Sequence, residues 1–161
     1  MPNYQPRTAT IQERRLISLE YAMIYMATGA MFPFFNLYLT KNLGWSGTRI
    51  GSVMALGSLL VLLTQPLWGR ISDLSDKNKV LAGALGISAC LALLQPLAAG
   101  SFMIFTILRL SHNVFSGSTG SMVDGIALDV LGEDRDTYGQ YRLWGSVGFA
   151  LASLVFGRIY E

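Results

Sequence analysis

An all-α membrane protein with five transmembrane helices is the fold class this sequence predicts, and three observations predict it. The 161 residues are 52% hydrophobic and 14% charged, with a mean hydropathy of +0.42, so polar groups are too few to coat a soluble globule of this size. Four runs, 21–40, 50–69, 80–108 and 143–157, carry no charge, and a helix needs about 20 mostly apolar residues to cross the hydrocarbon core. The charged residues gather between those runs, where loops meet water.

The first span is expected over about 15–40. It is too long for a signal peptide, holds Glu20 and shows no cleavage site, so it stays as a helix behind an N-terminal tail, 1–14. The second is expected over about 46–70. The third run is too long for one crossing and breaks at Pro96 and at Gly100-Ser101, which predicts spans over about 79–98 and 102–129. The fifth is expected over about 138–159, so 15–161 forms the transmembrane domain. Arg7, Arg14, Arg15, Arg70, Lys77, Lys79 and Arg135 fall on one side, with Lys41, Arg49 and Arg158 on the other. The positive-inside rule then predicts a multi-pass protein of the cell membrane with a cytoplasmic N-terminus.

Several function classes are excluded. The basic residues are dispersed, which argues against nucleic acid as a partner. The single cysteine, Cys90, allows neither a disulfide framework nor a cysteine metal site. Asp124 and Asp129 have no third carboxylate nearby to hold a metal. Gly117-Ser118-Thr119-Gly120 superficially suggests an intramembrane serine protease, but His112 lies on the same helix and no catalytic pair is evident. No enzyme activity, metal or cofactor is expected.

The loop after the second span concentrates charge. Asp73 sits where the negative end of a helix dipole disfavours a carboxylate, so it needs a partner. Gly69, four residues earlier on the same face, would admit a neighbouring helix. The pattern Gly69-x-x-x-Asp73-x-x-x-Lys77-x-Lys79 resembles the signature loop of the major facilitator superfamily, which latches the two halves of a transporter in the outward-open state. Leu74 stands where that family often has a base, and Asp76 where it usually has a glycine.

Along the fourth span, Arg109, Asn113, Gly117, Gly120 and Asp124 recur at spacings of four, four, three and four, which predicts one polar helix face. Asp124 and Arg142 are equally distant from Glu133 in the next loop, so an antiparallel hairpin sets them level and each offsets the other's desolvation. The run from Tyr138 to Leu151 resembles the fifth helix of the group that holds lactose permease and nucleoside–proton symporters: Arg142, then Gly145, then Gly148-Phe149. That group also has an acid where Asp124 stands. The resemblance implies that Asp124 and Arg142 bind a small polar solute such as a sugar or nucleoside, with Phe149 packed against it. Asp124 replaces a glutamate and Phe149 a tryptophan, which puts a galactoside in doubt.

The resemblance further implies a secondary active transporter working by proton symport, because the fifth span lacks the Gly-Pro-rich motif of many drug–proton antiporters. The alternatives are an efflux antiporter for drugs or metabolites and a non-transporting membrane scaffold. Glu20, Arg109 and His112 are candidates for proton coupling. Glu20 has a second reading, pairing with Arg14 or Arg15, and His112 has one as a packing residue. Trp45, Trp68 and Tyr38 fall near span ends, as an interfacial belt would. Family transporters have twelve spans in two halves, so this sequence predicts an incomplete N-terminal six-helix bundle, a fragment or truncated reading frame, whose missing partner in the bilayer is the second half.

Overall fold

Four of the helices begin at a polar residue that satisfies their first amides. In the structure, a computed structural model that describes residues 8–160, Thr10 and Glu13 form a reciprocal capping box. The Thr10 N–H donates to Glu13 Oε2 at 2.8 Å and the Glu13 N–H to Thr10 Oγ1 at 3.3 Å, opening α1 (Ile11–Lys41). Ser46 caps α2 (Gly47–Leu74), Asp76 caps α3 (Lys77–Leu94) and Ser101 caps α4 (Phe102–Ser116). A 3-10 turn, Gln95–Ala98, carries Pro96 at its start and ends the third span. α5 (Thr119–Leu131), a second 3-10 turn Glu133–Thr137 and α6 (Tyr138–Tyr160) complete the order. Residues 1–7 of the expected tail, Arg7 among them, lie outside the described residues.

The protein is all-α: among the described residues there is no strand, and the one extended contact is an isolated bridge between Thr8 and Gly132. Gly132 has φ 55°, a conformation other residues adopt at a cost. Four helical segments are long and apolar enough to cross a membrane, Ile11–Lys41, Gly47–Leu74, Lys77–Ala98 and Glu133–Tyr160. The fourth span is divided. Where one continuous helix was expected over 102–129, α4 stops at Ser116 and α5 starts at Thr119, with Gly117-Ser118 between them. Leu62, Leu93, Leu97 and Leu154 are exposed, as side chains facing lipid would be.

The described chain divides into two units, one running to Tyr38 and resuming at Gly125, the other Leu39–Asp124. In the first, α1 and α6 approach backbone to backbone. A Cβ on Gly29 would stand 2.9 Å from the Phe149 Cα, one on Gly148 would stand 3.1 Å from the Ala22 carbonyl carbon, and Gly145 faces the Tyr25 ring. Ser153 Oγ donates to the Gly29 carbonyl at 3.1 Å. At the other end of α1, Arg14 Nη2 donates to Asp134 at 2.6 Å and Nη1 to the Tyr141 hydroxyl at 3.0 Å.

In the second unit, α4 packs against α2 and α3. Gly57 of α2 faces Asn113, and Gly117 is pressed against the Val61 side chain, where a Cβ would come within 2.8 Å of Cγ1. This bears on the small residues of the fourth span: Gly117 serves close helix approach within this unit. At the α1–α2 turn, Gly44 at φ 64° lets the Trp45 N–H reach the Leu39 carbonyl at 3.0 Å. The Trp45 ring is buried against Phe102 and Phe105, with centroids 4.8 and 5.2 Å away.

Candidate functional site

The break at Gly117-Ser118 changes how the polar residues of the fourth span relate. Arg109, His112 and Asn113 are on α4, whereas Asp124 is on α5. The single continuous helix behind the predicted face is therefore interrupted at Gly117-Ser118, so the spacing of Arg109 and Asp124 no longer fixes by periodicity whether they share a face. Arg109 is 8% exposed, deep for a guanidinium, and His112 Nδ1 lies 3.2 Å from Ser116 Oγ one turn on. Asp124, half-buried, ends the second unit.

Three side-chain bonds to backbone carbonyls surround the break. Trp68 Nε1 donates to the Val114 carbonyl at 2.7 Å, Thr119 Oγ1 to the Ser116 carbonyl at 2.7 Å and Ser121 Oγ to the Ser118 carbonyl at 2.9 Å. A carbonyl released from a helix inside a bilayer needs such a donor, because no water is present to take its place; the Ser118 carbonyl also accepts the Met122 N–H at 3.1 Å. Trp68, expected in an interfacial belt, is half-buried with its ring 5.5 Å from that of Phe115. The sequence carried no signal of this bond, which joins residues far apart in the chain.

Arg142 and Phe149 belong to the first unit, on α6. Arg142 is exposed, with its guanidinium carbon 6.0 Å from the centre of the Tyr138 ring one turn earlier. Phe149 is half-buried, and its backbone rests against Gly29. Glu20 is half-buried on α1. The Arg14 side chain, one of its two anticipated partners, is engaged by Asp134, Tyr141 and the Ala9 carbonyl.

The charged loop after α2 has a definite geometry. Asp76, which stands where a glycine usually turns this loop, instead caps α3 by accepting from the Asn78 and Lys79 N–H groups at 3.0 and 3.3 Å. Lys77 Nζ lies 3.7 Å from Asp73, and Lys79 Nζ 3.7 Å from Asp76. The Asp73 side chain is 74% exposed, and an exposed pair contributes only about 0–1 kcal/mol, so Lys77 leaves it available. Beyond its chain neighbours and its own helix backbone, no described atom lies within 4 Å of a Cβ placed on Gly69. The neighbouring helix expected there is not supplied by the described residues.

Comparison with known proteins gives this geometry its setting. The chain is 34% identical over 145 residues to a maltose permease of Geobacillus stearothermophilus, a match covering 89% of this chain and 36% of that protein. It is 29% identical over 153 residues to a probable 3-phenylpropionic acid transporter of Escherichia coli (strain K12), covering 92% and 39%. It is 28% identical over 149 residues to a lactose permease of Klebsiella oxytoca, covering 82% and 33%. The chain thus spans between 33% and 39% of the length of these relatives. No solved structure matches it significantly. Residues 15–161 match the MFS_1 like family, and the chain is a membrane-embedded, multi-pass member of that family within the major facilitator superfamily.

Proposed function

We propose that this chain supplies five spans of a secondary carrier that moves a sugar or similar polar solute by proton symport. The observation that carries the proposal is its kinship, over 82–92% of its length, with proteins named as permeases and transporters. That kinship also favours a carrier over an enzyme or a passive scaffold. Asp124 and Arg142 bind the solute, the carboxylate accepting from hydroxyl groups and the guanidinium donating to them, while Phe149 offers a flat apolar surface. Glu20, Arg109 and His112 serve proton coupling, being ionisable groups set within apolar helices. Gly69, Asp73, Lys77 and Lys79 form the gating loop. The exposure of Asp73 supports that role, since a latch must reach a surface beyond its own loop.

Maltose uptake tests the proposal. In vesicles containing the carrier, an imposed inward proton gradient should drive accumulation of labelled maltose, and a protonophore should abolish it. Accumulation that ignores the protonophore would remove symport, and uptake of phenylpropionate in place of any sugar would move the solute class to carboxylates. The N-terminus is proposed to be cytoplasmic. With Cys90→Ser as background, the Ser75→Cys variant should resist an impermeant thiol reagent added to intact cells, and labelling there would reverse the topology.

A further inference from the structure

We infer that Trp68 is a positioning residue for Asp124: its indole N–H takes the Val114 carbonyl from Ser118 and so holds open the helix break that sets the direction of α5. The inference rests on the assignment of Asp124 to the solute site. An uninterrupted helix would satisfy the Val114 carbonyl with the Ser118 N–H, four residues on. The ladder ends one step short, with the Gly117 N–H on the Asn113 carbonyl at 2.9 Å.

Ser118 itself reports the competition. Hydroxyls elsewhere in these helices bond back to a carbonyl three or four residues earlier: Ser18 to Arg14, Thr28 to Ile24, Ser52 to Thr48 and Thr64 to Leu60 four back, and Ser88 to Leu85 three back, at 2.7–3.1 Å. For Ser118 the carbonyl four back is Val114, where the Trp68 N–H at 2.7 Å competes for the acceptor. The Ser118 Oγ, in a residue only 1% exposed, has no partner among the described residues. A buried, unsatisfied hydroxyl is costly, and the carbonyl four residues before it is the one that accepts from Trp68. Gly117 against Val61 presses α2 onto the same point, which fixes where Trp68, seven residues further along α2, meets α4.

Asp124 follows Thr119 by five residues, so its direction is set by where α5 restarts. Removing the indole N–H returns the Val114 carbonyl to Ser118, fuses α4 with α5 and turns Asp124 away from its present direction. Loss of one hydrogen bond shifts such a two-state balance by about fivefold.

The test is hydrogen exchange on the chain in lipid nanodiscs, compared among the parent, Trp68→Phe and Phe115→Leu. Trp68→Phe should slow exchange of the Ser118 amide by about fivefold, whereas Phe115→Leu, which loses ring contact and keeps the indole donor, should not. Paired with it is thiol labelling of Asp124→Cys in a Cys90→Ser background, whose rate should change by a similar factor when Trp68→Phe is added. Equal slowing in both ring variants, or an unchanged rate at position 124, would overturn the inference. If Trp68→Phe does not fold, the parent decides: a Trp68 indole N–H that exchanges as fast as that of the exposed Trp144 refutes the bond. The solute site is judged separately, because maltose uptake that survives Asp124→Asn would withdraw that assignment and leave the exchange result standing.

Discussion

Valine in place of Gly148 should lower the stability of the first unit by about 1–3 kcal/mol, the usual cost of forcing extra carbon into a packed contact. The atoms in the way are backbone: the Ala22 carbonyl group, with its carbon 3.1 Å from a Cβ at position 148, besides the Met26 Cγ at 3.0 Å. A side chain can rotate aside, but a helix backbone moves only if the helix moves. The same seam is closed from the other side, where Gly29 meets the Phe149 backbone, so α1 and α6 would part along both contacts and strain the Ser153 bond to the Gly29 carbonyl. Gly157→Ala is the control. Its Cβ would find the Phe34 ring at 3.6 Å, an ordinary contact, so its effect should stay within about 0.5 kcal/mol. Denaturant titration in micelles, read by helicity, measures both. A Gly148→Val variant as stable as the parent would mean that the seam does not hold the helices together.

Neutralising Asp124 in the complete carrier should abolish solute uptake, and neutralising Arg142 as well should restore the amount of folded protein without restoring transport. A lone charge in a span costs about 2.5–3.5 kcal/mol on insertion scales, so Asp124→Asn harms the protein twice, by removing a solute contact and by leaving Arg142 without its proposed partner. Adding Arg142→Gln removes the second harm alone. Uptake by the double variant at the parental rate would make the pair structural and withdraw it as the solute site. The expected pattern separates binding from folding because the two are read differently, uptake by labelled maltose and folding by the yield of monodisperse protein.

The spans were legible because hydropathy is a property of consecutive residues. The turn at Pro96 and Gly100-Ser101 was legible for the same reason, as was the pattern Arg142, Gly145, Gly148-Phe149. What those glycines do was not. Gly145 and Gly148 were read through a family resemblance, and the structure adds a packing reason, since they admit α1. The break at Gly117-Ser118 escaped the sequence because neither residue forbids a helix. It depends on an indole N–H arriving from α2, 46 positions earlier in the chain. Arg14 was likewise weighed only against nearby Glu20, whereas its acid is Asp134, 120 positions away. Asp76 is the reverse case: an aspartate just before Lys77 and Asn78 has the form of a helix cap, a signal the local sequence carries by itself.

The division of the chain also sets an order of events during synthesis. The second unit is continuous from Leu39 to Asp124 and can close as soon as it leaves the ribosome. The first unit cannot. Ala22 and Gly29 are made well over a hundred residues before Gly148 and Phe149, and at 5–20 residues per second the delay is on the order of ten seconds. Throughout that interval the first helix waits in the bilayer with its glycine seam uncovered. A chaperone or insertase that shields small-residue helix faces would meet this protein there, and slowing elongation between codons 39 and 137 would lengthen the exposure without changing any contact of the finished fold.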